Sequence, residues 1–333
     1  MNARLEARML ARQHASVEPR LHKSNLGRVA FSMSNAIGDS LISMIIVTNL
    51  LKNGIDVTVY GNPAYALRHW FPRVAIHRLP TEEDSADTFA AYDTVLQMQW
   101  NQPLVRLLDA HPRVRTLHDV EFGEHPGCMA ERFADFCRKE LELDGVDLDN
   151  GIVAPADLQH RRHARRVVIH PEASTDDKRW PASRFVKLAR LLQRRGYEPH
   201  FVIAPHERER WKDVEMSDVP VPHFDNLNTL AAWVYESGYF IGNDSGVGHL
   251  ASNLDIPTVS LFRRRGVSAR WRPVWGAVEV ILPWQWIPTS RLKERLWKET
   301  LTCSRVLAAF VRMTRRYPAT APAPTPAPAH GSQ

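Results

Sequence analysis

The chain has 333 residues, of which 44% are hydrophobic and 24% charged, with a net charge of +6 and a pI near 9.4. This size and balance predict a soluble globular protein with room for two ordinary domains. No apolar run approaches the roughly 18 to 20 residues that span a bilayer. No apolar segment follows the N-terminal basic residues, so neither a membrane span nor a secretory signal is expected.

The cysteines indicate the cellular compartment of the protein, and its net charge indicates the kind of partner that it binds. Cys128, Cys137 and Cys303 are odd in number and widely spaced, which predicts reduced thiols in a cytoplasmic protein. The positive charge favours an anionic partner such as a phosphorylated sugar or an anionic membrane face. A solvated arginine-rich surface explains the charge equally well, and the sequence lacks the motifs of a nucleic-acid-binding protein.

Residues 1–24 form a basic N-terminal extension with a thin apolar stripe. A peripheral contact with the anionic inner membrane and a frayed terminus are both open interpretations of this segment. At the other end, residues 318–333 form a proline- and alanine-rich tail, for which we expect disorder or polyproline II.

Between these ends the pattern alternates strand and helix twice. The first series predicts strands at 28–33, 55–60, 74–77, 92–98 and 114–117, with helices at 41–52 and 129–141. An acidic stretch at 140–149 predicts a linker. The second series predicts strands at 167–170, 200–204, 239–241, 258–262 and 278–282, with helices at 182–195, 207–214, 226–235, 247–254, and within 290–316. We therefore predict two Rossmann-like, doubly wound parallel-sheet domains, residues 25–155 and 156–317.

Three unusual polar loops follow predicted strands, at 34–40, 170–181 and 242–246. In doubly wound sheets, ligands bind at the carboxyl ends of the strands. If the two domains face each other, these loops meet across one cleft, which is where we expect the site.

Two of these loops carry residues suited to catalysis or phosphate binding. Asp39, at the start of the first helix, is either a general base or a helix N-cap. Lys178 is either a ligand for a diphosphate or a solvated loop lysine, and Arg179 could share either role.

The third loop places Asp244, Ser245, Gly246 and His249 at a helix N-terminus, whose free backbone N–H groups attract phosphate. The alternative is a capped structural turn, with Asp244 as the cap and His249 as a core histidine. Metal binding is poorly supported, because the DxD string at Asp147 and Asp149 lies in the acidic linker without a preceding strand.

Taken together, three blocks resemble glycosyltransferase family 9, the bacterial ADP-heptose:lipopolysaccharide heptosyltransferases. They read NAIGDSLISM, IHPEASTDDKRWPASRFVKLARLL and IGNDSGVGHLASNLDIPTVSLF, in the order and spacing of that family. The likeness spans roughly residues 28 to 285.

The resemblance implies a GT-B fold in a Gram-negative bacterium, with an N-terminal acceptor domain and a C-terminal donor domain. It implies inverting transfer of a heptose from ADP-heptose to a hydroxyl of the lipopolysaccharide inner core, without a metal or other cofactor. Asp39 would be the catalytic base and Lys178 a phosphate ligand. Asp244 would bind sugar hydroxyls, with Ser245, Gly246 and His249 around the diphosphate.

The sequence also departs from the family pattern. Glu172 replaces a usual glycine and is expected to put a bulky carboxylate near the donor. Arg263, Arg264 and Arg265 replace a Gly-Pro-Thr turn and, with Ser174, are candidates for further phosphate or acceptor contacts.

Three alternatives to this function remain open. One keeps the family but changes the donor, or the acceptor to a protein or another surface glycan. The others are a nicotinamide-dependent oxidoreductase, which the missing GxGxxG disfavours, and a non-catalytic nucleotide-sugar-binding protein.

Overall fold

The structure is a computed structural model that describes residues 21–211, 218–284 and 290–319. Two parallel five-stranded sheets form its framework, with strand orders β3-β2-β1-β4-β5 and β10-β9-β8-β6-β7. The strands of the first sheet are β1 Val29–Ser32, β2 Val57–Tyr60, β3 Ala75–His77, β4 Thr94–Gln97 and β5 Val114–Thr116. Those of the second are β6 His163–His170, β7 Glu198–Phe201, β8 Ser237–Asn243, β9 Thr258–Leu261 and β10 Val278–Ile281. The predicted pair of parallel sheets is thereby confirmed.

Helices connect these strands. In the first half they are α1 Ile37–Lys52, α2 Asn62–Ala66, α3 Ser85–Phe89, α4 Leu107–Ala110, α5 His118–Phe122 and α6 Met129–Lys139. In the second half they are α7 Ala182–Gln193, α8 Leu227–Tyr235, α9 Gly246–Asn253, α10 Arg265–Trp271, α11 Ser290–Thr300 and α12 Cys303–Arg316. The sequence missed the short helices α2 to α5 and α10. The segment predicted as a helix at 207–214 is a 3-10 helix over Pro205–Trp211, and its remainder lies outside the described residues. No helix of the described part is long and apolar enough to cross a membrane.

The start of the chain differs from the sequence-based boundary. Leu21 is buried, and the backbone N–H of Lys23 donates to the carbonyl of Leu141 at 2.9 Å. Residues 21–24 therefore pack onto the N-terminal domain and are not part of an extension. Residues 1–20 and most of the proline-alanine tail, 320–333, lie outside the described residues.

The acidic stretch at 140–149 packs against the C-terminal end of α1. The side-chain amide of Asn49 donates to the carbonyl of Asp147 at 3.0 Å, and that of Asn53 to the carbonyl of Asp144 at 3.0 Å. Lys52 forms ion pairs with Asp147 at 2.8 Å and with Asp149 at 3.2 Å. The DxD carboxylates therefore have a structural partner.

The two domains meet along α1, which is buried along most of its length because it packs against α6 and α9. One hydrophobic cluster contains buried residues from both domains, such as Phe31 and Phe240. Asn150 and Asn253 exchange amide hydrogen bonds of 2.8 and 3.0 Å in this buried region. This packing fixes how the strand ends of the two sheets face each other.

Candidate active site

The carboxyl ends of both sheets border one cavity of about 910 Å³, the interdomain cleft. Its N-terminal-domain wall consists of residues 35–39 and 121. Its C-terminal-domain wall consists of residues 170, 173, 174, 178, 202–205, 207, 223–227, 230, 244–247, 249 and 271. All three predicted loops contribute, so the expected convergence is present.

Asp39 lies in the first turn of α1, at the third helical position. The helix N-cap is Ala36, so the capping role considered for Asp39 is not the one the structure shows. Ser34 Oγ donates to Asp39 Oδ2 at 3.2 Å, which orients the carboxyl in the cleft. Burial raises the pKa of Asp39, although the Ser34 hydrogen bond and the charge of Lys178 lower it, and the charge of Asp244 raises it further. The raised pKa makes Asp39 a stronger base than an exposed aspartate.

The structure shows which residue caps the helix that follows the loop at 242–246. Ser245 is the N-cap of α9, and its Oγ accepts a hydrogen bond from the backbone N–H of Gly248 at 3.3 Å. Asp244 is therefore not the cap. Its Oδ2 lies 3.4 Å from Lys178 Nζ. Burial raises the pKa of Asp244 and Lys178 opposes that shift, so the carboxylate depends on a cation beside it.

Two close approaches bring the walls of the cleft together. An added Cβ at Gly38 would lie 3.0 Å from Cδ2 of His249, and one at Gly246 would lie 2.8 Å from Cβ of Ile37. The N-terminal ends of α1 and α9 thus touch through glycines. Desolvation lowers the pKa of His249 to about 4, so this side chain is neutral at pH 7.

Arg179 and Glu172 form a buried cluster next to the cleft. Glu172 Oε2 accepts from Arg179 at 2.9 Å, and its Oε1 accepts from Trp211 Nε1 at 2.7 Å. Arg179 also pairs with Asp176. Neither Glu172 nor Arg179 belongs to the described lining of the cleft. The expectation that Glu172 presents a carboxylate to the donor is therefore wrong for this structure, and the donor-binding role of Arg179 stays a prediction.

The arginine triplet lies after β9. Arg263 pairs with Asp177, Arg264 is the residue before α10, and Arg265 is its first residue. None of the three is among the described residues that line the cleft, whereas Ser174 is. Their predicted phosphate or acceptor contacts remain predictions.

Glu121 was not identified from the sequence, and it is the second carboxyl of the N-terminal domain, besides Asp39, among the described residues that line the cleft. Burial raises the pKa of Glu121 to about 7; the Gln99 hydrogen bond and Arg270 lower it, and Asp39 raises it. A signal was present, because the polar residues His118, Asp119 and Glu121 follow β5 just as the other loops follow their strands. Glu207 and the 223–227 segment, after β7, were missed too.

Within residues 21–211, 218–284 and 290–319, no group of three or more His, Cys, Asp or Glu side chains could hold a metal ion.

The fold and the cleft define the class. Two parallel-sheet domains that face each other across a cleft at their strand ends form a GT-B fold. Together with the family match that follows, this fold makes the chain a glycosyltransferase. The model of glycosyltransferase family 9 (heptosyltransferase) matches residues 130–292. The chain thus carries a family 9 domain, and the resemblance stated from the sequence is confirmed. This class disfavours the oxidoreductase alternative.

Solved structures share this fold. A family 9 glycosyltransferase from Veillonella parvula has a TM-score of 0.69 at 17% identity, over 90% of this chain and 99% of that one. The ADP-heptose LPS heptosyltransferase II of E. coli has a TM-score of 0.67 at 16% identity, over 87% and 99%. The iron-containing dodecameric glycosyltransferase TibC of E. coli has a TM-score of 0.58 at 13% identity, over 90% and 78%. At these identities the likeness shows the fold alone. A comparison with curated protein sequences found no match.

Proposed function

We propose that the protein transfers a heptose, with inversion, from ADP-heptose to a hydroxyl of the lipopolysaccharide inner core. The observation that carries the proposal is the placement of Asp39 and of the Lys178–Asp244 pair on facing walls of one cleft. The family 9 match and the fold shared with the ADP-heptose LPS heptosyltransferase II of E. coli favour this donor.

In the proposed step, Asp39 takes the proton of the acceptor hydroxyl, and that oxygen attacks the anomeric carbon of the donor. The bond from this carbon to the diphosphate oxygen breaks, and its electron pair leaves with ADP. Attack opposite the leaving group inverts the anomeric centre. Orientation by Ser34 and the raised pKa of Asp39 support its role as the base.

The leaving diphosphate gains negative charge in the transition state. Lys178 lies in the cleft and would stabilise that charge, together with the first-turn N–H groups of α9. Asp244 would then be free to accept hydrogen bonds from hydroxyls of the sugar. We propose that these groups act without a metal ion. Ser245 and Gly246 would shape the turn, and neutral His249 would pack beneath it.

We infer that the enzyme works in the cytoplasm, at the inner face of the membrane that carries its acceptor. Reduced thiols fit this compartment, and Cys128, Cys137 and Cys303 are all free. Vesicle flotation with and without anionic lipid tests the peripheral contact.

A donor screen tests the function directly. Purified protein is mixed with ADP-heptose, UDP-sugars or GDP-sugars, with and without core-lipid acceptor, and nucleotide release is measured. We expect release from ADP-heptose that rises with acceptor and persists in EDTA. Release only from another nucleotide sugar would favour a different donor, and release from none of them would refute glycosyl transfer.

A further inference from the structure

The N-terminal-domain wall of the cleft holds a second carboxyl that the proposed reaction does not use. Glu121, on α5, lines the cleft although only 4% of the residue is exposed. Gln99 Nε2 donates to its Oε2 at 3.1 Å. This donor is a neutral amide, so it orients the carboxyl without cancelling its charge.

Glu121 and Asp39 interact electrostatically across this wall. The charge of Asp39 raises the pKa of Glu121, whereas Arg270 of α10 acts in the opposite direction. Both carboxyls face the same cavity. An acceptor that binds next to Asp39 therefore also experiences the electrostatic field of the Glu121 carboxyl.

The composition of this wall limits what it can bind. The described lining residues of the N-terminal domain are Asn35, Ala36, Ile37, Gly38, Asp39 and Glu121. This set contains two carboxyls and neither lysine nor arginine. A carboxylate accepts hydrogen bonds from hydroxyl groups and repels other anions. The wall therefore suits a neutral polyhydroxy sugar.

Given the proposed glycosyl transfer, on which this step rests, we infer that Glu121 determines acceptor specificity. Its carboxyl accepts a hydrogen bond from an acceptor hydroxyl next to the one that Asp39 deprotonates. It selects a sugar that is neutral at this position over one that carries a carboxylate or phosphate there.

The test compares matched acceptors at saturating ADP-heptose and at about pH 8.5, where a carboxyl with a pKa of about 7 is ionised. The probes are alkyl glycosides that differ in one group: neutral hexosides and heptosides, the corresponding uronic acids and the corresponding sugar phosphates. The variants are Glu121→Gln and Glu121→Ala. Glu124→Gln is the matched control, because Glu124 is exposed and lines a separate surface cavity.

We expect the wild-type enzyme to prefer neutral acceptors by about 10-fold or more in kcat/KM. Glu121→Gln keeps an acceptor for the Gln99 hydrogen bond and removes the charge. It should raise the KM of neutral acceptors by about 10-fold and leave the KM of ADP-heptose unchanged. The ratio of kcat/KM for neutral over acidic acceptors should fall. Glu121→Ala should show the same direction with a larger effect, and Glu124→Gln should match wild type.

Several outcomes would overturn the inference. Equal wild-type use of acidic and neutral acceptors is one, and an unchanged acceptor KM in Glu121→Gln is another. A variant that loses only thermal stability would assign Glu121 a structural interaction with Arg270 instead. ADP release from ADP-heptose without transfer to the neutral probes, and without their binding by saturation-transfer NMR, would refute the subsite alone. Absence of any ADP release would refute the proposed function itself.

Discussion

Lys178 Nζ lies 3.4 Å from Asp244 Oδ2, so one ion pair joins the β6–α7 loop to the turn before α9. The Asp244 side chain is 11% exposed and that of Lys178 is 35% exposed. Without a ligand, each group partly compensates the charge of the other. A diphosphate in the cleft would offer Lys178 a second anion, and sugar hydroxyls would offer Asp244 new donors. The pair is thus poised for an exchange of partners upon donor binding.

The first prediction concerns Lys178→Ala. Loss of one charge-assisted contact to phosphate should weaken ADP binding by about 10- to 100-fold, which corresponds to about 1.5 to 3 kcal/mol. Isothermal titration calorimetry with ADP measures the effect. Lys187→Ala is the control, because Lys187 is exposed on α7 and should leave the affinity unchanged. Wild-type ADP affinity in Lys178→Ala would remove the phosphate role.

The second prediction concerns Asp39→Asn, in which the amide oxygen can still accept the Ser34 hydrogen bond. Loss of the base should lower kcat by about 10²- to 10⁴-fold and leave the Kd of ADP nearly unchanged. Asp87→Asn is the matched control, since Asp87 is an exposed residue of α3. Full turnover of Asp39→Asn would show that another group accepts the proton.

The pH profile provides a separate check on this base. Burial raises the pKa of Asp39 above its ordinary value of 3.8, and only the deprotonated form accepts a proton. Wild-type activity should therefore fall with decreasing pH, and the fall should begin at a higher pH than for an exposed aspartate. The residual activity of Asp39→Asn should lack this step.

The alternation of strands and helices was readable from the sequence because parallel strands and their crossover helices carry distinct apolar periods. The convergence of the loops that bear Asp39, Lys178 and Asp244 was also predictable, because ligands bind at the carboxyl ends of the strands in doubly wound sheets. Short helices such as α5 escaped prediction, because a five-residue helix shows too little periodicity. Glu121 was missed with it.

Two other features depend on three-dimensional packing. Asp and Ser are both preferred N-cap residues, and only the backbone geometry assigns the cap to Ser245 and not to Asp244. Buried Glu172 accepts a hydrogen bond from Trp211, which is 39 positions away in the chain. Local patterns carry no information about such a contact.

A third prediction follows from Gly246. A methyl group there would meet Cβ of Ile37 at 2.8 Å and the backbone nitrogen of Gly38 at 3.2 Å. Gly246→Ala should therefore destabilise the protein by about 1 to 3 kcal/mol and separate the two walls of the cleft. Urea unfolding and ADP titration measure both effects. Gly266→Ala is the control, since nothing lies within 4 Å of its added Cβ. Equal stability of both variants would contradict this close contact.

A fourth prediction concerns Glu172→Ala. The substitution leaves Trp211 Nε1 buried without its acceptor and removes a partner of Arg179. We expect a loss of about 1 to 3 kcal/mol in the free energy of unfolding. Glu198→Ala, at an exposed position of β7, should change it by less than about 0.5 kcal/mol. If both variants unfold at the same urea concentration, the Glu172 cluster does not stabilise the fold.

The last prediction uses Glu121 as a reporter of pH-dependent stability. Its pKa is about 7 in the folded protein, against 4.5 for the unperturbed carboxyl, so the folded state binds the proton more tightly. This contribution to stability is complete below pH 4.5 and is lost as the pH rises through 7. Glu121→Gln removes the titration, so the difference in free energy of unfolding between variant and wild type should shift in favour of the variant by about 1 to 3 kcal/mol from pH 5 to pH 8. Urea unfolding at both pH values measures this shift, and Glu124→Gln should show none. A difference that stays constant with pH would mean that the carboxyl of Glu121 titrates at its ordinary value and that burial does not raise its pKa.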